Sequence, residues 1–245
     1  MPHTDWSKLA AELSSALHLN SAPLAITFSD APIPGVPMFE ESMPEAMPDG
    51  RTGRVPAGCV FWMKAADRTF GTVAEDHGNC SVGSMTHGFK TLDDVAGNSD
   101  VAALLGSGWV TMDVVPQIPV VHERPGAVTY GPLADTPVDP DVVFLRLTGR
   151  QLMVLSDAIP GLRVEGKPQC HIVAVAKEEG VPAASVGCAL SRVRTGMAPT
   201  EMTCAIPAAQ LPEILASIQQ HAEADNIVAH YAAEDALRFS SAAGL

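Results

Sequence analysis

Apolar residues recur at helical spacing at the start of the chain, and a short apolar run follows. Trp6, Leu9, Leu13 and Leu17 are three or four residues apart, which predicts an amphipathic helix over residues 4–19. The next run, PLAITFS, has the length and composition of a buried strand. The pattern therefore predicts a helix followed by a buried strand.

Later apolar runs predict further strands and helices. The run DVVFLRL, residues 141–147, predicts the clearest strand of the chain, and residues 151–158 predict a helix after it. Residues 109–115 and 117–121 also read as strands, separated by Pro116. Residues 122–140 contain proline and glycine and are predicted to be a connection. Helices are expected from residue 208 to 240.

Two stretches, residues 59–88 and residues 170–196, resemble each other. Each opens with a cysteine, continues through an apolar run, and holds a second cysteine eight residues before its closing glycine. This similarity predicts an internal duplication, with one half-repeat over about residues 20–125 and another over about residues 140–222. The cysteines are Cys59 and Cys80 in the first stretch, and Cys170 and Cys188 in the second.

Strands and helices in each half predict an α+β fold. We expect two similar half-modules, packed about a pseudo-twofold axis, in a single domain over residues 1–245. A long passage without periodicity, residues 30–58, is rich in proline and methionine. Such a passage in a compact domain is a surface loop or a functional lid.

Composition excludes several classes of function. The formal net charge of −13 argues against a nucleic-acid surface, which needs clustered Lys and Arg. No apolar run is long enough for a bilayer, so no membrane association is expected. The N-terminal residues lack the pattern of a signal peptide. We therefore expect a cytoplasmic protein with reduced thiols.

Four cysteines in two pairs match the ligand count of a [4Fe–4S] cluster or a structural zinc ion. The spacing within each pair is too long to specify a metal site, so ordinary buried thiols remain an alternative. The fifth cysteine, Cys204, has no counterpart and lies in an alternating run, which predicts a core residue.

Histidine and arginine residues near the cysteines add further candidates. His87 and His171 could complete a mixed Cys/His zinc site or activate a nucleophilic cysteine. Arg192 lies four residues after Cys188, one helical turn along, and could hold a carboxylate there.

A family resemblance rests on a set of short motifs spread along the chain. They are Cys59, Cys80-Ser81-Val82-Gly83, Pro140-Asp141-Val142-Val143, Cys170, Gly187-Cys188, Arg192, Glu201 and Ile206-Pro207. With these motifs the chain resembles the ArCR family, domain-of-unknown-function family 169, over roughly residues 20–220. The resemblance implies that the four paired cysteines are the positions of interest, with Arg192 and Glu201 in second rank. It implies no particular activity.

The leading hypothesis is an iron–sulfur protein whose [4Fe–4S] cluster is held between the halves by the four paired cysteines. It favours a lyase, a hydratase or a redox enzyme acting on a small anionic molecule, with Arg192 and Glu201 as catalytic residues. Two alternatives stay open: a non-catalytic zinc module, and a metal-free enzyme with a cysteine nucleophile. The expected partner is a small-molecule substrate or a redox partner. The sequence leaves the oligomeric state open, and a homodimer is one of the alternatives.

Overall fold

A computed structural model describes residues 4–43 and 45–243, with side chains up to residue 240. Residue 44 of the predicted loop, and the chain ends at residues 1–3 and 244–245, lie outside this description. The described residues form a mixed seven-stranded sheet with helices on both faces. The predicted α+β class is confirmed.

The strands of this sheet are three to six residues long. They are β1 (Leu24–Ser29), β2 (Phe70–Thr72), β3 (Ala127–Pro132), β4 (Val142–Leu147), β5 (Arg163–Glu165), β6 (Ala183–Ser185) and β7 (Met202–Pro207). Their order in the sheet is β2-β3-β1-β4-β7-β6-β5. Only the β5–β6 pair is parallel among the pairs of the described chain.

The helices are short on one face of the sheet and long on the other. They are α1 (Trp6–Leu17), α2 (Cys59–Lys64), α3 (Ser81–Thr86), α4 (Leu92–Val95), α5 (Ser99–Gly106), α6 (Gly149–Ala158), α7 (His171–Ala174), α8 (Ala189–Thr195) and α9 (Leu211–Ala243). Helix α7 continues into a π-helical turn, Val175–Glu179. Such wide turns occur most often at functional sites.

Strand β4 shows how the sequence builds a core on each face of the sheet. Successive side chains of a strand point to opposite faces. Val143 and Leu145 pack in one core with α1, α6 and α9, whereas Val142 and Phe144 pack in the other with α2 and α7. The continuous apolar run of β4 therefore marks a strand that is buried on both faces.

Helix α1 is fixed at both ends by its own sequence. The Asp5 carboxylate accepts a hydrogen bond from the Lys8 backbone N–H, which caps the helix start. His18 adopts the left-handed conformation and ends the helix. The Trp6 indole N–H donates to Asp139 at 2.7 Å, and this bond ties α1 to the segment before β4.

Several sequence predictions are wrong in detail. The strands predicted over residues 109–115 and 117–121 are turns, with a 3-10 helix at Val115–Gln117. The predicted connection, residues 122–140, contains the buried strand β3. Pro116 suggested a break between two strands, and Gly126 and Pro132 at the borders of β3 suggested a connection.

The two halves contribute adjacent parts of one sheet. Strands β2 and β1 come from the first half, β3 comes from the predicted connection, and β4, β7, β6 and β5 come from the second half. A pseudo-twofold relation between the halves is not confirmed by this arrangement and stays a prediction, as do the half-repeat boundaries. No helix in the described part of the chain is long and apolar enough to cross a membrane.

Candidate functional site: a buried group of four cysteines

The four paired cysteines all lie at the starts of short helices on one face of the sheet. Cys59 is the first residue of α2, and Cys80, Cys170 and Cys188 directly precede α3, α7 and α8. Helix α3 contacts α7, and helix α2 contacts α8. The predicted convergence of the two cysteine stretches is therefore seen in the packing of these helices.

The four sulfur atoms are close enough for their charges to interact in every pairwise combination. Ionised Cys80 and Cys188 would each repel a thiolate at Cys59. Cys59, Cys80 and Cys188 would each repel a thiolate at Cys170, and Cys188 would repel one at Cys80. All of these cysteines are free thiols, and Cys59 alone among them is not fully buried.

Burial of the sulfur atoms decides their protonation. Desolvation raises the pKa of Cys59 to about 12, because the thiolate would lose its hydration. The same cause raises the pKa of Cys80 and places the pKa of Cys170 well above its usual value. A helix N-terminus normally lowers a thiol pKa, so desolvation outweighs that effect here.

Polar side chains at the site contact individual sulfur atoms. The Gln169 amide Nε2 donates to the Cys59 sulfur at 3.7 Å and to the Ser191 hydroxyl at 2.8 Å. The side-chain amide oxygen of Gln169, Oε1, is buried and has no hydrogen-bond partner. The Gly83 backbone N–H donates to the Cys80 sulfur at 3.4 Å. Gln169 thus connects α2 to α8 beside Cys59.

Arg194 is the cation that acts on this group of thiols. Its charge lowers the pKa of Cys80, although less than burial raises it. One of its terminal nitrogens is buried without a hydrogen-bond partner. Arg194 therefore favours the thiolate of Cys80.

A buried ion-pair network holds α3 in place. Arg51 pairs with Asp100 at 2.9 Å, and Asp100 accepts hydrogen bonds from the backbone N–H and hydroxyl of Ser81, the first residue of α3. Arg51 also donates to the backbone carbonyl of Asn79. The predicted loop 30–58 is therefore anchored beside Cys80 through Arg51.

The backbone of this loop also approaches the turn before Cys80 closely. The Asn79 side chain donates to the carbonyl oxygens of Gly53 and Val55. A Cβ atom at Gly78 would overlap the carbonyl group of Thr52. The end of the loop is therefore packed against the cysteine site.

The predicted iron–sulfur cluster is wrong. Among residues 4–43 and 45–243, no three or more His, Cys, Asp or Glu side chains are grouped closely enough to hold a metal ion. The four sulfurs interact through their charges, but they do not form the tight ligand set that a cluster or a tetrahedral zinc ion needs. The same finding overturns the alternative of a zinc site and the hypothesis of an enzyme that depends on the cluster.

The histidines do not activate the cysteines as the remaining alternative requires. The His87 Nδ1 donates to the Gly83 carbonyl oxygen at 3.0 Å, and burial lowers the pKa of His87 to about 4. His171 lies 3.5 Å from Glu165, and both of its ring nitrogens lack a hydrogen-bond partner. Within the described chain no hydrogen bond joins a histidine ring to a cysteine sulfur, so the nucleophile hypothesis is not supported.

Arg192 and Glu201 lie next to the site, and their predicted catalytic role remains a prediction. The Arg192 guanidinium donates to the backbone carbonyl oxygens of Val186 at 2.8 Å and Glu201 at 2.9 Å. The Glu201 carboxylate accepts two hydrogen bonds from Arg146, at 2.6 and 2.8 Å. Arg192 therefore ties the turn before Cys188 to the start of β7.

Cys204 is a core residue, as the sequence predicted. It lies in β7 in the core formed with α1, α6 and α9, away from the other cysteines. Burial also raises its pKa to about 12. Cys204 is therefore an isolated thiol with the same protonation as Cys59.

Sequence reasoning missed Gln169, Arg51 and Asp100. Gln169 directly precedes Cys170, so its position beside a cysteine was a usable signal. Arg51 and Asp100 are far apart in sequence, and no local pattern shows that they pair.

Comparison with known proteins gives one family. The model of the uncharacterised ArCR proteins, domain of unknown function 169, matches residues 12–217, which include all five cysteines. The chain belongs to this family, as the sequence resemblance implied. No curated protein and no solved structure matches the chain.

Proposed function

We propose that this ArCR-family protein is a cytoplasmic thiol redox protein that reversibly oxidises two of its four clustered cysteines to a disulfide. The observation that carries the proposal is the placement of four free thiols at four helix starts on one face, with every pair close enough to interact. The cytoplasm suits this function because its thiol systems keep such a site reduced at rest.

The oxidant in this proposal is a small disulfide compound or a redox partner protein with a disulfide. A cysteine thiolate attacks one sulfur of that disulfide and releases one thiol, which takes up the proton that the cysteine lost. A second cysteine thiolate then attacks the mixed disulfide and releases the other thiol. Two cysteine thiols and one external disulfide thus become one internal disulfide and two external thiols.

The raised pKa values make this exchange slow and dependent on pH. At neutral pH the thiols of Cys59 and Cys170 are protonated, and only the thiolate attacks. Thiols of high pKa are also poor leaving groups, so an internal disulfide, once formed, is reduced slowly. The site therefore suits a stable two-state switch better than a rapid oxidoreductase.

Exposure and charge favour different cysteines for the first step. Cys59 is half-buried, whereas Cys80, Cys170 and Cys188 are buried, so a small disulfide reaches Cys59 first. Arg194 favours the thiolate of Cys80. We assign first attack to Cys59 because access to the external disulfide is required before its thiolate can react.

The experiment is oxidation of the reduced protein with oxidised glutathione, followed by alkylation of the remaining thiols under denaturing conditions. We expect the wild-type protein to lose two alkylated cysteines, and peptide mapping should place both among the four clustered cysteines. The rate should rise with pH from 7 to 9, by about tenfold for each pH unit, while the thiols stay mostly protonated.

The control is Cys204→Ala, because burial also raises the pKa of Cys204 to about 12, but Cys204 lies in the other core and outside the group of four thiols. This variant should oxidise like the wild-type protein, whereas Cys59→Ser should oxidise more slowly. Retention of all five alkylated cysteines after oxidation at pH 9 would sink the proposal. Participation of Cys204 in the disulfide would sink it as well.

A further inference from the structure

A polar cavity lies at the end of strand β4, and none of the clustered cysteines lines it. Its volume is about 240 Å³, and it lies where β4 ends and α6 begins. Its wall includes Ser21, Arg146, Thr148 and Glu201. Such a space accommodates a small molecule of several non-hydrogen atoms.

Two groups of opposite charge face each other in this wall. Arg146 and Glu201 form a bidentate pair, and their side chains are only 18% and 12% exposed. Of the five guanidinium N–H groups, two donate to Glu201, and each carboxylate oxygen keeps a further lone pair. The pair can therefore bind a donor and an acceptor while it remains intact.

Beside Arg146 and Glu201, the cavity wall has a third polar group, the hydroxyl of Ser21. The Ser21 hydroxyl oxygen is buried and has no hydrogen-bond partner in the structure. A buried hydroxyl without a partner is costly, so a hydrogen bond to a ligand in this cavity would be favourable. Thr148, the N-cap of α6, places the positive end of a ten-residue helix on the same wall.

We propose that this cavity binds a small zwitterion of the α-amino acid type. The carboxylate of the ligand accepts hydrogen bonds from Arg146 and the Ser21 hydroxyl, near the positive end of α6. The ammonium group donates to the free lone pairs of Glu201. The inference is independent of the proposed redox function, because none of the clustered cysteines lines the cavity.

Simpler ions fit this wall less well. A simple anion would meet the Glu201 carboxylate, and a simple cation would meet the Arg146 guanidinium, so each would face repulsion from one partner of the pair. A zwitterion meets both charges with its opposite ends. The site should therefore discriminate an amino acid from its carboxylate and amine fragments.

Isothermal titration of the full chain with L-alanine tests the proposal, with propionate and ethylamine as the two fragments. We expect saturable binding of L-alanine below about 10 mM and at least tenfold weaker binding of each fragment, since each lacks one charge-assisted hydrogen bond. Binding of propionate as tight as that of L-alanine, or no saturable heat from L-alanine, would overturn the inference.

Three variants complete the test. Ser21→Ala should weaken L-alanine binding by about threefold to tenfold, the loss of one hydrogen bond. Ser29→Ala is the control, because its hydroxyl donates to Ala31 far from the cavity, and it should bind L-alanine as the wild type does. Glu201→Gln should remove the preference for L-alanine over propionate. A preference that survives in Glu201→Gln, with circular dichroism showing a folded protein, contradicts the assigned role of Glu201.

Discussion

Gly187 shows how a single position shapes the cysteine site. Its φ of +109° lies in a region that side chains rarely adopt. A Cβ atom there would also overlap the Arg192 guanidinium, which bridges Val186 and Glu201. The turn that delivers Cys188 therefore depends on the missing side chain at Gly187 as much as on the arginine.

Replacing Gly187 with alanine tests this double constraint. Gly161→Ala is the control, because Gly161 also has a positive φ, +85°, but has open space where a Cβ would lie. We expect Gly161→Ala to lower the free energy of unfolding by about 1–2 kcal/mol from backbone strain alone. Gly187→Ala should cost about 1 kcal/mol more, because the Arg192 guanidinium must give up its hydrogen bonds to Val186 and Glu201. Urea unfolding measures both, and equal losses would contradict the packing role of Arg192.

The contribution of an ion pair near the loop 30–58 to the free energy of unfolding should depend on its burial and not on its length. Arg51–Asp100 and Lys64–Glu41 have the same separation, 2.9 Å, but the first pair is about 5% exposed and the second is 46% and 32% exposed. Asp100→Asn should therefore cost about 1–3 kcal/mol, since the buried Arg51 guanidinium loses one charged partner and keeps the other, Asp49. Glu41→Gln should cost less than about 1 kcal/mol. Comparable losses in urea unfolding would show that the buried network is not what fixes α3.

At the scale of elements, helix α9 has two unlike parts. Its first part is buried against α1 and α6, with Leu215 only 5% exposed. Its last part carries exposed apolar side chains, with Leu237 at 73% exposed. The single 33-residue helix replaces the helices predicted from residue 208 to 240.

Leucine-to-alanine changes in the two parts of α9 should differ sharply. Leu215→Ala should lower the free energy of unfolding by about 2–5 kcal/mol, because it leaves a cavity. Leu237→Ala should change it by less than about 0.5 kcal/mol, because the side chain is already in water. A large loss for Leu237→Ala, measured by thermal or urea unfolding, would mean that this part of α9 is covered in solution.

The sequence predicted those elements whose local pattern and tertiary environment agree. Helix α1 and strands β1 and β4 were predicted within about two residues, because their apolar residues form a helical stripe in α1 and continuous runs in β1 and β4, and most of them are buried. Strand β3 was missed, because Gly126 and Pro132 at its borders are turn residues. Its pairing with both β1 and β2 overrides that local preference. The strands predicted over residues 109–121 found no partner in the sheet.

The candidate site was predicted in its residues but not in its chemistry. The duplicated cysteine pattern singled out the four thiols that the structure places at four helix starts on one face, and it left out Cys204, which lies in the other core. The assignment of a metal cluster required sulfur positions that only the packing of four helices determines. Spacing along the chain carries no information about such positions when each pair is about twenty residues apart.

At the scale of the whole molecule, buried histidines make stability depend on pH. Burial lowers the pKa of His87 from 6.5 to about 4 and lowers that of His77 well below 6.5. Between these pKa values and 6.5 the unfolded chain binds protons that the folded chain does not. The free energy of unfolding is therefore highest above about pH 6.5 and decreases as the pH falls toward 4. His87 alone should account for about 3 kcal/mol of this loss.

Urea unfolding at pH 7.0, 6.0 and 5.0 measures this dependence. His87→Gln should flatten the decrease, although it also lowers stability at pH 7 by removing a buried ring. His230→Gln is the control, since the His230 side chain is 80% exposed, and it should leave the decrease unchanged. A decrease that is identical in His87→Gln and in the wild-type protein would rule out His87 as its source.

The sheet order has a consequence for how the chain is made. Ile26 of β1 pairs with Tyr130 of β3 and with Val142 of β4, so both neighbours lie more than 100 residues later in the sequence. At about 5–20 residues per second, a ribosome needs about 5–20 s to synthesise the intervening segment. During that time β1 has emerged with both edges unpaired and an apolar sequence exposed. Nascent chains of this protein should therefore bind chaperones at β1 until β3 and β4 have been translated.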